Sequence, residues 1–483
     1  MEEVVNLPYF QCIKTSLRKV VRNEIVIEKL ENAAVLTNRI MTHGLQFIKL
    51  YLIHCFDQGD TLPMIDKPFV NAVFKILCKA PTIGRKPSEA TQELKSRLTQ
   101  FYQEHYEYLA LDTDTMNYKN LNTVLDYMSI DVITMYNNNI KQHFVEYVER
   151  FVNVVHRKEQ KIQEIKDRYV TTHQKKTHIN TLCHDLRKIK NDILSVNEQK
   201  TSPVEYHTWI DAERINIMPQ RPLQEQSIYY DIQCSPQEYL CSMVYMMKVV
   251  EWLGCTIYNV FPLRSTIIPK NFLLDTTSLV HLLLTTDQGN KADFIKEGNL
   301  KKNQAKLWNF FFKTDMKCFH RLNDEHKYTF HHQIRTDGVS CSILLIRKDM
   351  VGRTIKTPKP NKGGDEKYID ELAEEELTLI KDKKVVAIDP NMSDLIFCVD
   401  SDEKNQTQFR YTQDQRRKET KVKKYRNILQ ELKTNTIIDE RRVEEWEAQM
   451  SNFNKKTLDF DMFKVYIKHK NELNKRLAPF YNR

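Results

Sequence analysis

Asp389 is the residue whose type and place most invite chemistry. It ends an apolar run, Val385-Val386-Ala387-Ile388, and is followed directly by Pro390 and Asn391. The run predicts a short strand buried on both faces, and the break after it leaves a carboxylate at the strand end. A carboxylate fixed by a strand rather than a loop is suited to hold a metal ion against a scissile phosphodiester. Asn391 suits the turn, because Asn tolerates left-handed backbone angles better than most residues. An Asp-Pro pair is equally a common turn opener, and the residues alone leave both readings open.

A second set of residues lies just downstream. Arg410, Arg416, Arg417, Lys418, Lys421, Lys423, Lys424 and Arg426 crowd one short stretch, opposed by Asp414 and Glu419. That density suits neutralisation of phosphates and a salt-dependent grip on a duplex. It also suits a solvated helix face or a nuclear import signal. Tyr411 and Tyr425 are able to stack on bases or to pack, and Tyr425 beside Val422 and Leu429 reads as packed. Arg187, Lys188 and Lys190 form a smaller basic group on another predicted helix.

These residues need elements to position them. Strands are predicted over Val385 to Asp389, Leu395 to Val399 and Thr407 to Tyr411, with turns between. Thr412 and Gln415 then form a T-x-x-Q capping box that opens one helix along "QDQRRKETKVKKYRNILQELK". Three short antiparallel strands and a helix, with an acid ending the first strand, is how an RNase H-like nuclease fold begins.

Upstream, "YFQCIKTSLRKVV" (9–21) reads as a strand. From Asn23 the period becomes helical, with Ile27, Leu30, Ala34, Leu36 and Ile40 in step, and helices continue through Met135. Phe144, Val148, Phe151 and Val155 mark one long helix, and Leu182, Leu186, Ile189 and Ile193 another, expected to form an antiparallel pair. "TIYNVFPLRSTIIPKNFLLD" (256–275) predicts irregular strands of a small β module, and a helix follows near "QAKLWNFFFK". Asp337-Gly338 predicts a tight two-residue turn within a hairpin over 328–348. Glycines and prolines from Gly352 to Gly364, then an acidic segment, mark a linker.

The whole chain has 483 residues, 41% hydrophobic and 10% aromatic, with only 10 Gly and 15 Pro, which favours several mainly helical domains over disorder. A net charge of +9 leans toward a polyanionic partner. The ten cysteines contain no CxxC pair, so neither a zinc ribbon nor a disulfide framework is readable. No secretory signal opens the chain, which implies an intracellular setting with reduced thiols. "FIKLYLIHCF" is interrupted by Lys49 and His54 and is too short to span a bilayer, so no membrane is expected. A Gly-rich phosphate loop, HExxH and GxSxG are all missing, which removes support for nucleotide hydrolase, metalloprotease and esterase readings.

The segment "VVAIDPNMSDLIFCVD…FRYTQDQRRKETKVKKYRNI", with "HHQIRTDGVSCSILLIRK" upstream, resembles the Fanzor family. These are eukaryotic and viral relatives of the transposon-encoded TnpB nucleases and of type V CRISPR effectors. The resemblance implies an α+β multidomain fold. It comprises a first strand of a β module (1–25), a helical recognition lobe (26–250) and a small wedge-like β-barrel module with inserted helices (251–350). A linker (351–383) and the N-terminal part of an RNase H-like (RuvC) domain (384–483) follow. It implies an RNA-guided DNA endonuclease of a mobile element, acting in the nucleus with Mg2+, a guide RNA and a target DNA. Asp389 matches the first of three RuvC acids.

Two departures qualify it. Asn391 stands where the family often has Gly. The chain ends at "LNKRLAPFYNR" before the regions of the second acid, a Glu, and the third, an Asp, and the family's zinc-binding cysteine pairs are missing too. One carboxylate does not organise two metal ions, so the expectation is a chain that binds nucleic acid and cleaves poorly or not at all. The amphipathic segment with Phe463, Tyr466, Ile467 and Leu473, capped by Asp459, is expected to pack within the nuclease domain. The alternatives are a non-catalytic nucleic-acid-binding remnant of a transposon-encoded protein and a helical scaffold with no nucleic-acid role.

Overall fold

The computed structural model describes residues 8–79, 88–110, 120–196, 199–284, 296–320, 327–355, 372–381, 383–402 and 406–481. The chain divides into two compact units, one of Met1–Pro360 with Phe453–Arg483, the other of Asn361–Asn452. Both are mixed α and β, with small antiparallel sheets. Among the described residues, no helix is long and apolar enough to cross a membrane.

In the first unit a 34-residue helix, α1 (Glu24–Asp57), is the central support, about 50 Å long at 1.5 Å per residue. Asn23 starts it: its side-chain oxygen accepts from the Ile25 N–H at 2.9 Å. Every residue from Ile40 to Ile53 is buried, so this half is wrapped on all sides rather than along one stripe. Helix α2 (Lys67–Leu77) is capped by Asp66, which accepts from the Phe69 N–H at 2.8 Å. It crosses so closely that a Cβ on Gly44 would lie 2.6 Å from a Phe74 ring carbon, so only glycine fits there. Around these lie α3 (Glu89–Phe101), α4 (Asn122–Val155), α5 (Lys158–Arg168), α6 (Thr172–Leu194) and α7 (Leu240–Trp252). Both expected long helices form: Phe144, Val148 and Phe151 of α4 and Leu186, Ile189 and Ile193 of α6 are buried, whereas Val155 and Leu182 are half-buried. Helix α5 intervenes between the pair.

The β module of this unit is an open four-stranded antiparallel sheet, not a barrel, as far as the described residues run. Its strands are β1 (Phe10–Ser16), β2 (Phe272–Asp275), β3 (Tyr328–Thr336) and β4 (Ser340–Arg347), ordered β1-β4-β3-β2. Helices α8 (Thr276–Leu283) and α9 (Glu297–Phe311) attach to it, and the Trp308 indole N–H donates to Thr276 Oγ1 at 3.0 Å. The irregular strands expected over 256–271 do not form; only β2 does. Pro262 and Pro269 remove ladder donors there, and helix side chains take the carbonyls instead. Asn139 donates to Val260 O, Arg150 to Thr256 O and Asn38 to Ile267 O.

The hairpin turn is longer than the two residues expected. Only Gly338 takes a positive φ, +92°, and the Asp337 carboxylate closes the loop by accepting from the Val339 and Ser340 N–H groups at 3.0 and 2.6 Å. A Cβ on Gly338 would also lie 3.0 Å from the Glu31 backbone, so glycine is needed twice over.

The C-terminal helix Phe460–Tyr481 belongs to this unit, not to the 384–483 nuclease span in which it was expected. Asp459 caps it as anticipated, accepting from the Met462 N–H at 2.8 Å. Its apolar stripe, Phe463, Tyr466, Ile467 and Leu473, is buried, and the helix packs on α1. Lys49, which interrupted an apolar run in the sequence, anchors the approach to it. Fully buried, it donates to Lys455 O at 2.8 Å and sits 4.1 Å from the Phe463 ring centre. Beside it Glu251 accepts from the Leu458 N–H at 2.8 Å.

Burial pulls the Lys49 ammonium from its usual 10.5 down to about 7, with Glu251 acting the other way. Between those values the unfolded chain holds a proton that the folded chain has released, so stability rises with pH across that window. Urea unfolding over this range is expected to show a Lys49-dependent rise of at most about 1.4 kcal/mol per pH unit, which Lys49→Met abolishes.

Candidate nucleic-acid interface

The second unit holds most of the candidate residues. Strands β5 (Val386–Asp389), β6 (Asp394–Asp400) and β7 (Gln408–Thr412) form the expected antiparallel meander, ordered β5-β6-β7. Asp389 ends β5, and the chain then turns through Pro390 and Asn391, whose N–H donates to Asp394 O at 2.8 Å. The expectation of a central strand buried on both faces is overturned. Among the described residues β5 pairs only with β6, and Val386 and Ile388 are 51% and 63% exposed. An apolar run is read from side-chain type, whereas burial depends on a covering layer that local sequence does not specify.

Register places Asp389 opposite Phe397 and Phe397 opposite Arg410. Directly opposed residues share a face, so Asp389 and Arg410 lie on one side of the sheet, two strand spacings or about 10 Å apart. Arg410 is committed elsewhere, donating through Nε and an Nη to both oxygens of Asp394 at 2.6 and 3.0 Å. Asp400, which sequence reasoning missed, is similarly engaged. It pairs with Lys384 at 2.8 Å, accepts from the Thr407 N–H at 3.1 Å and also bonds the Thr407 hydroxyl. Lys384 first and Thr407 second hold its carboxyl well below the usual range. A buried acid seven residues before a threonine across a polar loop carries no distinctive sequence signal.

Of the three acids within the meander's strands, two therefore serve as structural clamps and the third, Asp389, stands at the end of β5. Among the described residues, no group of three His, Cys, Asp or Glu side chains is placed to hold a metal ion. The six oxygens a Mg2+ ion prefers, taken partly from protein carboxylates, find one carboxylate here.

Thr412 caps the helix that follows, its hydroxyl accepting from the Gln415 N–H at 3.0 Å. The box is half formed, because the Gln415 amide turns to Glu419 at 3.1 Å. The single helix expected here is two, α10 (Gln413–Glu419) and α11 (Val422–Asn435), broken where Lys421 takes a left-handed φ of +54°. Such angles are uncommon outside glycine and asparagine, and a lysine gives no warning of one.

Arg416, Arg417, Lys418, Lys421, Lys423, Lys424 and Arg426 are all exposed. Arg417 lies 3.3 Å from Asp414, an exposed pair of little strength; no acid pairs with the other six among the described residues. The acid in their midst, Glu419, is occupied by the Tyr411 hydroxyl at 2.9 Å and by Gln415. Tyr425 is not packed as expected but 62% exposed, along with Val422 and Leu432. Helix α12 (Val443–Ala448) is fastened to α11 by a Lys433–Glu447 ion pair at 2.6 Å. In the whole unit the buried side chains among the described residues are Val443 and Asp400.

The remaining candidates lie in the first unit. On α6, Arg187 is exposed and Lys188 half-buried, while Lys190 pairs with Glu149 at 3.8 Å.

Residues 272–347 match the family model of a domain of unknown function, DUF8286. The match runs from the first residue of β2 to the last of β4 and includes the Asp337–Gly338 loop. No curated protein matches the chain.

The Asp400 clamp generates a pH test. A carboxyl depressed in the folded state stabilises above its ordinary value of 3.8, and that contribution fades as pH falls below it toward the folded value. Protection of the β6 amides, measured as hydrogen exchange relative to the intrinsic rate at the same pH, is expected to fall in the native chain only on acidification, and already at neutral pH in Asp400→Asn.

Proposed function

We propose that this chain is a nucleic-acid-binding protein of the Fanzor and TnpB type: an RNA-guided DNA-binding protein, ancestrally a Mg2+-dependent endonuclease of a mobile element. The observation that carries the reading is the α10–α11 surface, seven exposed cations within eleven residues and one weak ion pair among them. Phosphates are the chemistry that such a surface recognises, through displacement of condensed counterions. The β5–β7 meander with Asp389 at the strand end is consistent with the opening of an RNase H-like domain. Base pairing by a guide RNA would supply sequence specificity, the protein contributing backbone contacts to guide and target DNA. The nucleus is the compartment this reading implies.

The reading is one of binding rather than cutting. Asp389 supplies one carboxylate, Asp394 and Asp400 are held by Arg410 and Lys384, and no cleavage step is assigned to this chain.

The purified chain, co-expressed with a transcript of its own element, is expected to retain a discrete, structured RNA. Arg416→Gln/Arg417→Gln/Lys418→Gln should lower RNA affinity on the order of tenfold at physiological salt. With that RNA, matching duplex DNA and Mg2+, no cleavage is expected, and Asp389→Ala should bind as the native chain does. Cleavage that Asp389→Ala abolishes would overturn the binding-only account. RNA affinity untouched by the triple variant would overturn the assignment of the surface.

A further inference from the structure

The first unit carries a feature that the basic α10–α11 surface does not explain. Helix α5 buries no side chain, and in α6 the first buried residue is Leu186. Residues 157–185 therefore form a helical hairpin that stands clear of the core. The stretch of α6 from Thr172 to Asp185 alone is about 20 Å long. The bend from α4 into it is made at Arg157, in the left-handed region at φ +52°.

From Arg157 to Lys190 there are ten Lys and Arg against four Asp and Glu. Two of those acids are already engaged, Glu159 by Arg150 at 3.8 Å and Asp167 by the Gln163 amide at 2.9 Å. Lys166, Arg168, Lys175, Lys176, Arg187 and Lys188 pair with no acid among the described residues. Like charges at this density repel one another, and a helical pair with no buried side chain beyond its base gains little in return. A polyanion laid along the arm offsets the repulsion.

The chemistry of the arm selects among polyanions. Single strands are gripped by exposed aromatic platforms, and the arm has one tyrosine, Tyr169, with a face of its ring already stacked on His178 at 4.0 Å and 15°. An acidic peptide would present a local cluster, whereas these cations are spread along a rod. A duplex has charge at regular intervals, and about 20 Å of rod runs beside roughly six base pairs at 3.4 Å each.

We propose that the α5–α6 hairpin is a second, independent nucleic-acid-binding element, an arm that lies along the phosphate backbone of a duplex without reading its sequence. It shares with the preceding reading only the class of partner and is carried by different residues in a different unit.

The test uses full-length chain and a labelled random-sequence duplex, with affinity measured against salt. Lys166→Gln/Arg168→Gln/Lys175→Gln/Lys176→Gln should reduce the slope of log affinity against log salt by about 3 to 4, at roughly 0.9 per phosphate contact. The loss should be equal for unrelated duplex sequences, with circular-dichroism melting unchanged because none of the four is buried. The α10–α11 triple variant, measured in parallel, reports the other surface, so either element can fail alone. An unaltered duplex slope in the arm variant overturns the proposal, as does a loss confined to single strands or to polyglutamate.

Discussion

Seven cations in eleven residues, on two helices that meet at a left-handed lysine, set the terms for the rest of the second unit. Among the described residues their mutual repulsion is little relieved: Glu419 is held by Tyr411 and Gln415, and Arg417 meets only an exposed Asp414. A surface of that kind is screened by salt and stabilised by a polyanion, and its energetics are long-range rather than a matter of packing. In the meander strands, Asp394 is held by Arg410 and Asp400 by Lys384, so neither neutralises the positive surface.

The two units rest on different physics. The first is conventional in its burial: α1 is enclosed along its C-terminal half, aromatic rings interlock around Phe47 and Phe101, and even Lys49 is inside. The second buries Val443 and Asp400 among its described residues and leaves Ile388, Phe409, Tyr425 and Leu432 open to solvent. Hydrophobic burial at roughly 25 cal/mol per Å2 contributes little there, and hydrogen bonds, caps and ion pairs carry a correspondingly larger share.

Much of the local structure was legible from residue types. Asp459 announces the C-terminal helix, Thr412 helix α10, and Asp337-Gly338 the hairpin, because caps and turns are local chemistry with few alternatives. The three strands around Asp389 and their order were legible for the same reason: each is short, alternating or apolar, and bounded by turn residues. What local sequence does not encode is who covers whom. Nothing in "VVAI" says that β5 is an edge, and nothing in Phe463 or Ile467 says that they return to α1 across a second unit. The Lys421 break and the longer Asp337 loop escaped because positive φ at a non-glycine, and closure by a carboxylate, depend on geometry rather than composition.

The claim we propose is that exposed cations, rather than a metal-bound carboxylate, hold a nucleic-acid partner. The most direct measurement is the affinity of the native chain for a structured RNA across a series of salt concentrations, with and without a chelator of divalent cations. The account predicts that log affinity falls steeply and linearly with log salt and that the chelator changes nothing. Binding that ignores salt, or that disappears with the chelator, would contradict it.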